Sequence, residues 1–127
     1  MAARTFPAVA ESVRAARRFA VEVLPPLPQP LLDAVLLMVS ELASNSVEHA
    51  DTEFSLDIQR SGGQIRVLAT DTGPGQAVLR RPRPTESRGR GLLVIDQLSD
   101  DWGVIEAPEG VGKTVWCSLN TELSMES

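Results

Sequence analysis

The chain has 127 residues, of which 43% are hydrophobic; this is enough for one domain with a hydrophobic core and too short for two. Its formal net charge of -5 and a pI near 4.8 argue against nonspecific nucleic-acid binding and against an anionic membrane surface as partner. The single cysteine, Cys117, excludes an intramolecular disulfide and a cysteine-only metal site, and we expect it to be a buried core thiol.

The sequence predicts neither a signal peptide nor a membrane span. Its first twenty residues are rich in arginine but lack a continuous apolar stretch, and no apolar run approaches the roughly twenty residues of a membrane span. We therefore expect a soluble, cytoplasmic protein that forms a single domain over residues 1–127.

The first predicted elements in chain order are two helices. Residues 1–7 are compatible with either a frayed end or a short edge strand that ends at Phe6. Apolar residues recur at helical spacing over residues 9–24, which predicts an amphipathic helix. The proline-rich stretch 25–30 cannot be helical inside, but its last proline can start a second helix, over residues 30–50.

The second helix carries two polar residues one turn apart, Glu41 and Asn45, and is apolar on both faces in its first half. Such a helix is expected to be buried along most of its length, so this carboxylate and carboxamide would project inward. An unsatisfied buried polar group costs about 1–3 kcal/mol, so the pair indicates a ligand. In the alternative interpretation, which the helix alone leaves open, Glu41 pairs with an arginine elsewhere and Asn45 caps a backbone group.

Alternation of apolar and polar residues predicts the strands. One strand is expected over residues 54–60 and a second over 65–70, with a tight hairpin at 61–64 between them. Two further strands are expected over residues 102–105 and 113–119.

Turn-forming residues follow the second strand. Asp71 ends that strand and is followed by Gly73 and Gly75. This arrangement offers a carboxylate acceptor beside backbone that a flat ring can approach closely, and an Asx-turn is the ordinary alternative.

Residues 76–90 form a basic loop in an acidic protein, which suits either a bound triphosphate or a solvated surface. The run Gly89-Arg90-Gly91 then opens an apolar helix over residues 92–98. Free backbone N–H groups at such a helix start can cradle a phosphate, although the same glycines also suit a simple tight turn.

The order of elements predicts the fold class. Two helices, two strands, a loop, a helix and two strands indicate an α/β two-layer sandwich, in which a largely antiparallel mixed sheet carries about three helices on one face. The polar tail over residues 120–127 is expected to be mobile.

Four motifs follow one another along the chain, namely Glu41-x-x-x-Asn45, Asp71-Thr-Gly-Pro-Gly75, Gly89-Arg-Gly91 and Gly112-Lys113-Thr114. In this order they resemble the motifs of the GHKL ATPase superfamily, which has the Bergerat ATP-binding fold of gyrase, heat-shock chaperone and histidine-kinase ATP domains. Within it, the chain resembles the small bacterial anti-sigma-factor serine kinases and their single-domain actinobacterial relatives over nearly its whole length.

The resemblance implies a role for each motif. Asn45 would bind the Mg²⁺ that bridges the phosphates of ATP, and Glu41 would orient or activate the nucleophile. Asp71 would accept a hydrogen bond from the adenine amino group, with Thr114 assisting on the base side. The other nucleotide contacts would come from the glycines beside the base and from the phosphate cradle and its arginines, namely Gly73, Gly75, Arg88, Gly89, Arg90 and Gly91.

The resemblance also implies a function. The chain would be an ATP-binding regulator of transcription, a serine/threonine protein kinase that phosphorylates an anti-sigma antagonist, with residues 76–90 as its ATP lid. Binding of a sigma factor would be a second role, and the resemblance is compatible with a homodimer. The alternative is a nucleotide-gated protein-binding module without significant kinase activity.

Three positions depart from the pattern of these relatives. Ser46 stands where they usually have alanine, Glu48 adds a carboxylate near the site, and Arg88 extends the lid just before the phosphate cradle. Because of Glu48 and Arg88, phosphate transfer is less firmly implied than nucleotide binding. His49 suits either a phosphate contact or a local hydrogen bond.

Overall fold

The computed structural model describes residues 2–49, 52–72, 99–106 and 112–121. The predicted pairs of helices and strands are confirmed in these ranges, and residues 2–6 form the edge strand that was one of two alternatives. The elements are β1 (Ala2–Phe6), α1 (Glu11–Val23), α2 (Gln29–His49), β2 (Phe54–Ser61), β3 (Gln64–Asp71), β4 (Asp101–Glu106) and β5 (Lys113–Asn120). The predicted helix over residues 92–98 and the loop over 76–90 lie outside the described residues.

The described strands form one antiparallel sheet in the order β1-β2-β3-β5-β4. The last strand in the sequence therefore runs between β3 and β4 instead of along an edge. As β3 and β5 are antiparallel, the end of β3 lies beside the start of β5, and Asp71 is directly opposite Lys113. This topology brings two distant motifs of the sequence together.

The hairpin between β2 and β3 is as tight as the sequence predicts. Ser61 pairs with Gln64, which leaves Gly62 and Gly63 as the two turn residues. Gly62 has a φ of 59°, a left-handed backbone conformation that glycine adopts without steric cost.

Prolines set the limits of the two helices. Leu24, just after α1, is extended (φ -76°, ψ 143°), as expected for a residue whose helical conformation the following Pro25 disfavours. Pro30 lies in the first turn of α2, where no intrahelical partner for its missing N–H is needed.

One apolar face of each helix packs on one face of the sheet. Phe6, at the end of β1, joins the layers, because its ring centroid lies 6.1 Å from that of Phe19 and 5.6 Å from that of Phe54. The core consists of Phe6, Ala16, Phe19, Ala20, Val35, Met38, Val39, Leu42, Ala43, Phe54, Leu56, Ile58, Ile65, Val67, Ala69, Val115, Cys117 and Leu119. Burial raises the pKa of the Cys117 thiol to about 12, so this cysteine is the predicted inert core residue.

α2 corrects the expectation that no segment reaches the length of a membrane span. Over Gln29–Glu48 it is long and apolar enough to cross a membrane by length and composition alone, with a mean hydropathy of 1.3. A core helix meets the same criterion. Val35, Met38 and Leu42 are fully enclosed in the core, so packing within the domain accounts for much of this apolar character.

The end of β5 corrects the predicted start of the tail. Asn120 belongs to the strand, where it is opposite Gln64 and its backbone N–H donates to the carboxylate of Asp100. The backbone N–H of Thr121 donates to the carbonyl of Gly63 at 2.6 Å. The strand is therefore tied to the rest of the sheet through residue 121, and residues 122–127 lie outside the described residues.

Candidate functional site

α2 places Glu41 and Asn45 at the margin of its buried face. Both side chains are partly buried, whereas Leu42, Ala43 and Ser46 next to them are buried. The expectation that the pair points fully inward is therefore correct only in part. A helix that packs on one sheet encloses a limited stripe of its surface, and residues beside that stripe keep contact with solvent.

The described part of the chain provides no partner for either group. No hydrogen bond or ion pair to Glu41 or Asn45 occurs among the described residues, and no buried side-chain N or O atom there lacks a partner. One arginine of α1 does reach α2, but Arg17 donates to the hydroxyl of Ser40 at 2.9 Å. The alternative in which Glu41 pairs with an arginine thus has no support among these residues.

Glu41 lies in surroundings that favour its neutral form. Burial, and then the negative charge of Glu48 two turns along the helix, raise the pKa of the Glu41 carboxyl above its ordinary value. A carboxylate with a raised pKa is a better proton acceptor, as an activator of a hydroxyl nucleophile needs to be.

The raised pKa predicts that Glu41→Gln makes the protein more stable at neutral pH. The folded protein binds this proton more tightly than the unfolded chain does, so the ionised carboxylate is destabilising above the folded pKa. The gain in Tm should shrink as the pH falls through the window between the raised pKa and the ordinary one, and disappear below it. Thermal unfolding monitored by circular dichroism at several pH values measures this.

Glu53→Gln is the matched control, since Glu53 is exposed just before β2 and its substitution should leave Tm unchanged. A Glu41→Gln protein that is less stable than the parent at neutral pH would contradict the prediction, because it would give the carboxylate a stabilising partner.

Asp71, predicted as the adenine acceptor, forms a buried ion pair at the end of β3. Its Oδ2 lies 2.9 Å from the Nζ of Lys113, and the two side chains are only 2% and 5% exposed. Gly112 permits the close approach of the two strand ends, since it has a φ of 91° and a Cβ there would lie 2.5 Å from the carbonyl oxygen of Asp71. The backbone conformation at Gly112 therefore holds Asp71 and Lys113 close together, in addition to the ion pair between their side chains.

Thr114 does not lie directly opposite Asp71, and its role on the base side stays a prediction. Its hydroxyl is 2.8 Å from that of Thr70, directly opposite on β3. Successive residues of a strand point to opposite faces of the sheet, so a residue next to Lys113 faces away from the ion pair. The residue of β5 that reaches Asp71 is Lys113, which sequence reasoning missed.

The remaining predicted contacts lie outside the described residues. These are Gly73, Gly75, Arg88, Gly89, Arg90 and Gly91, together with the side chain of His49. The predictions of a phosphate cradle and of a lid therefore stay predictions.

The donor set suits magnesium held together with a nucleotide better than magnesium held by protein alone. Within residues 2–49, 52–72, 99–106 and 112–121 there is no cluster of three or more His, Cys, Asp or Glu side chains that could hold a metal ion. Mg²⁺ usually takes one or two protein oxygens and completes its shell with phosphates and water. The partly buried carboxamide oxygen of Asn45 fits such a site as its protein ligand.

Comparison with known families identifies the class of protein. The family model for the histidine kinase-like ATPase domain matches residues 6–119, which include the end of β1, both helices and nearly all of β5. The chain therefore belongs to the histidine kinase-like ATPase domain family, a class of ATP-binding domains within the GHKL superfamily. No curated protein matches the chain.

Proposed function

We propose that the protein is a cytoplasmic Mg²⁺-dependent serine/threonine kinase of the anti-sigma type, which transfers the γ-phosphoryl group of ATP to a serine of a small antagonist protein. The observation that carries this proposal is the pair Glu41 and Asn45. They lie one turn apart on α2, partly buried and without a partner among the described residues.

The two side chains divide the work of phosphoryl transfer. Asn45 would hold Mg²⁺ on the phosphates, where the ion neutralises the charge that develops during transfer. Glu41 would accept the proton of the serine hydroxyl as its oxygen forms the new bond to phosphorus. The bond from the γ-phosphorus to the bridging oxygen breaks, and ADP leaves with that oxygen.

The raised pKa of Glu41 supports a role in proton transfer, because a general base is most effective with a pKa near the working pH. Glu41 owes its shift to burial and to Glu48, a residue that departs from the pattern of the relatives. In this interpretation Glu48 assists the base instead of disturbing the phosphates.

The proposal is tested by incubating the purified protein with Mg²⁺ and γ-labelled ATP in the presence of candidate antagonist proteins. Transfer of label to an antagonist serine supports the kinase. ATP binding in calorimetry without transfer to any antagonist favours the nucleotide-gated binding module. A folded protein that binds no adenine nucleotide would overturn both. Binding of a sigma factor and formation of a homodimer are tested separately with the same purified protein.

A further inference from the structure

The chain has eleven arginines but only one lysine, and that lysine is buried. Lys113 is 6% exposed and lies at the start of a central strand. Lysine is almost never fully buried unless its charge is paired, because removal of an ammonium group from water is costly. The position therefore calls for an explanation of what the ammonium contacts.

One carboxylate oxygen accounts for only part of the hydrogen-bonding capacity of Lys113. An ammonium group has three N–H donors, and within the described residues Nζ has a single acceptor, Oδ2 of Asp71 at 2.9 Å. The group is thus a buried donor with capacity for a further acceptor, next to the carboxylate that is predicted to bind the adenine amino group.

We propose that Lys113 is a base-recognition residue, which donates a hydrogen bond to N1 of adenine while Asp71 accepts one from the 6-amino group. The inference rests on the proposed nucleotide binding and adds a specificity determinant to it. It also gives Lys113 the role that the resemblance implied for Thr114, which faces the other side of the sheet beside Thr70.

The chemistry of the purine edge explains the preference. On its Watson–Crick edge, adenine presents a donor, the 6-amino group, next to an acceptor, N1. Asp71 and Lys113 present an acceptor next to a donor, so the two edges match. In the same orientation guanine presents an oxygen to the Asp71 carboxylate and an N–H to the Lys113 ammonium, so both contacts are mismatched. The pair would therefore select ATP over GTP.

The geometry of the pair is held by the sheet. Asp71 and Lys113 are directly opposite in the antiparallel register of β3 and β5, and Gly112 brings the strand ends into contact. Groups carried by neighbouring strands keep their spacing better than groups on loops, which suits recognition of a rigid base.

The first test uses the unmodified protein, because incorporation of ¹⁵N-lysine labels a single side chain. The Nζ signal is recorded by NMR without nucleotide and with ATP, 7-deaza-ATP, 1-deaza-ATP or tripolyphosphate, each with Mg²⁺. ATP and 7-deaza-ATP should move the signal to the same position. 1-Deaza-ATP, which has C–H in place of N1, should give a different position, and tripolyphosphate should leave the signal unmoved.

One signal position common to the three nucleotides would overturn the inference, since the contact would not involve N1. A shift with tripolyphosphate equal to that with ATP would also overturn it, because Lys113 would then be a phosphate ligand.

The second test compares affinities by calorimetry. The parent should bind 1-deaza-ATP about tenfold or more weakly than ATP, which is the usual weight of a hydrogen bond to a charged group, and 7-deaza-ATP within about twofold of ATP. Lys113→Met should bind ATP and 1-deaza-ATP with equal affinity. If the parent binds ATP and 1-deaza-ATP equally well, the proposed role of Lys113 is contradicted. It is also contradicted if Lys113→Met still binds ATP more tightly than 1-deaza-ATP. A folded parent that binds none of the nucleotides contradicts the proposed function instead.

Discussion

Replacement of Glu41 by alanine is expected to lower the rate of phosphoryl transfer by about 10²–10⁴-fold, the usual weight of a positioned general base, while ATP affinity stays near that of the parent. Asn45→Ala is expected to fail differently. It removes the proposed protein ligand of Mg²⁺, so most of the magnesium-dependent part of the ATP affinity should be lost, and activity with it. Single-turnover kinetics and calorimetry with and without Mg²⁺ separate the two effects.

The matched control is Asp33→Ala, because Asp33 is an exposed carboxylate on the same helix that accepts a hydrogen bond from Gln29 at 2.7 Å. It should change neither ATP affinity nor phosphoryl transfer. If Glu41→Ala unfolds the protein, the carboxylate has a structural role and the proposed division of work is wrong. Equal losses of ATP affinity in Glu41→Ala and Asn45→Ala would place both residues on the metal.

The fold was predictable because its elements depend on local patterns. Helical spacing of apolar residues located α1, and alternation located β2 and β3. The two glycines of the hairpin and the prolines around α2 set limits through backbone geometry, which is also local. The order of the motifs then indicated the family that residues 6–119 match.

The partners within the site were less predictable, because they depend on which face of a strand a residue occupies. The motif Gly112-Lys113-Thr114 gives the position of each residue along β5, but it does not show which residue faces the same side of the sheet as Asp71. A shift of one residue moves a side chain to the other face of the sheet, so the sequence did not show that Lys113, and not Thr114, lies opposite Asp71. That Lys113 is the sole lysine of the chain, at the start of a predicted strand, was a signal that could have drawn attention to it.

The degree of burial of Glu41 and Asn45 could not be predicted from the sequence either. α2 is apolar on both faces in its first half, so periodicity could not show which stripe the sheet would enclose. The structure buries Val39, Leu42 and Ala43 and leaves the two polar residues at the margin.

The buried ion pair predicts the largest change in stability. Asp71→Leu leaves the ammonium of Lys113 buried without its carboxylate, and should lower the free energy of unfolding by about 3–5 kcal/mol. The double variant Asp71→Leu/Lys113→Met removes both charges and replaces them by apolar side chains, so it should recover most of this loss. Urea unfolding of the parent, the single variant and the double variant measures the effect.

The pair Arg4 and Glu22 provides the control within the same chain. Its N–O distance is 3.9 Å and its side chains are 54% and 63% exposed, so solvent screens it and Glu22→Ala should cost at most about 1 kcal/mol. The comparison tests the environment of the site, because a carboxylate is removed at the solvent-exposed surface in Glu22→Ala and in the core in Asp71→Leu. If Asp71→Leu costs no more than Glu22→Ala, water reaches Lys113 in the folded protein. Water then satisfies the remaining N–H donors of the Lys113 ammonium, and Lys113 cannot act as a buried donor to a bound base.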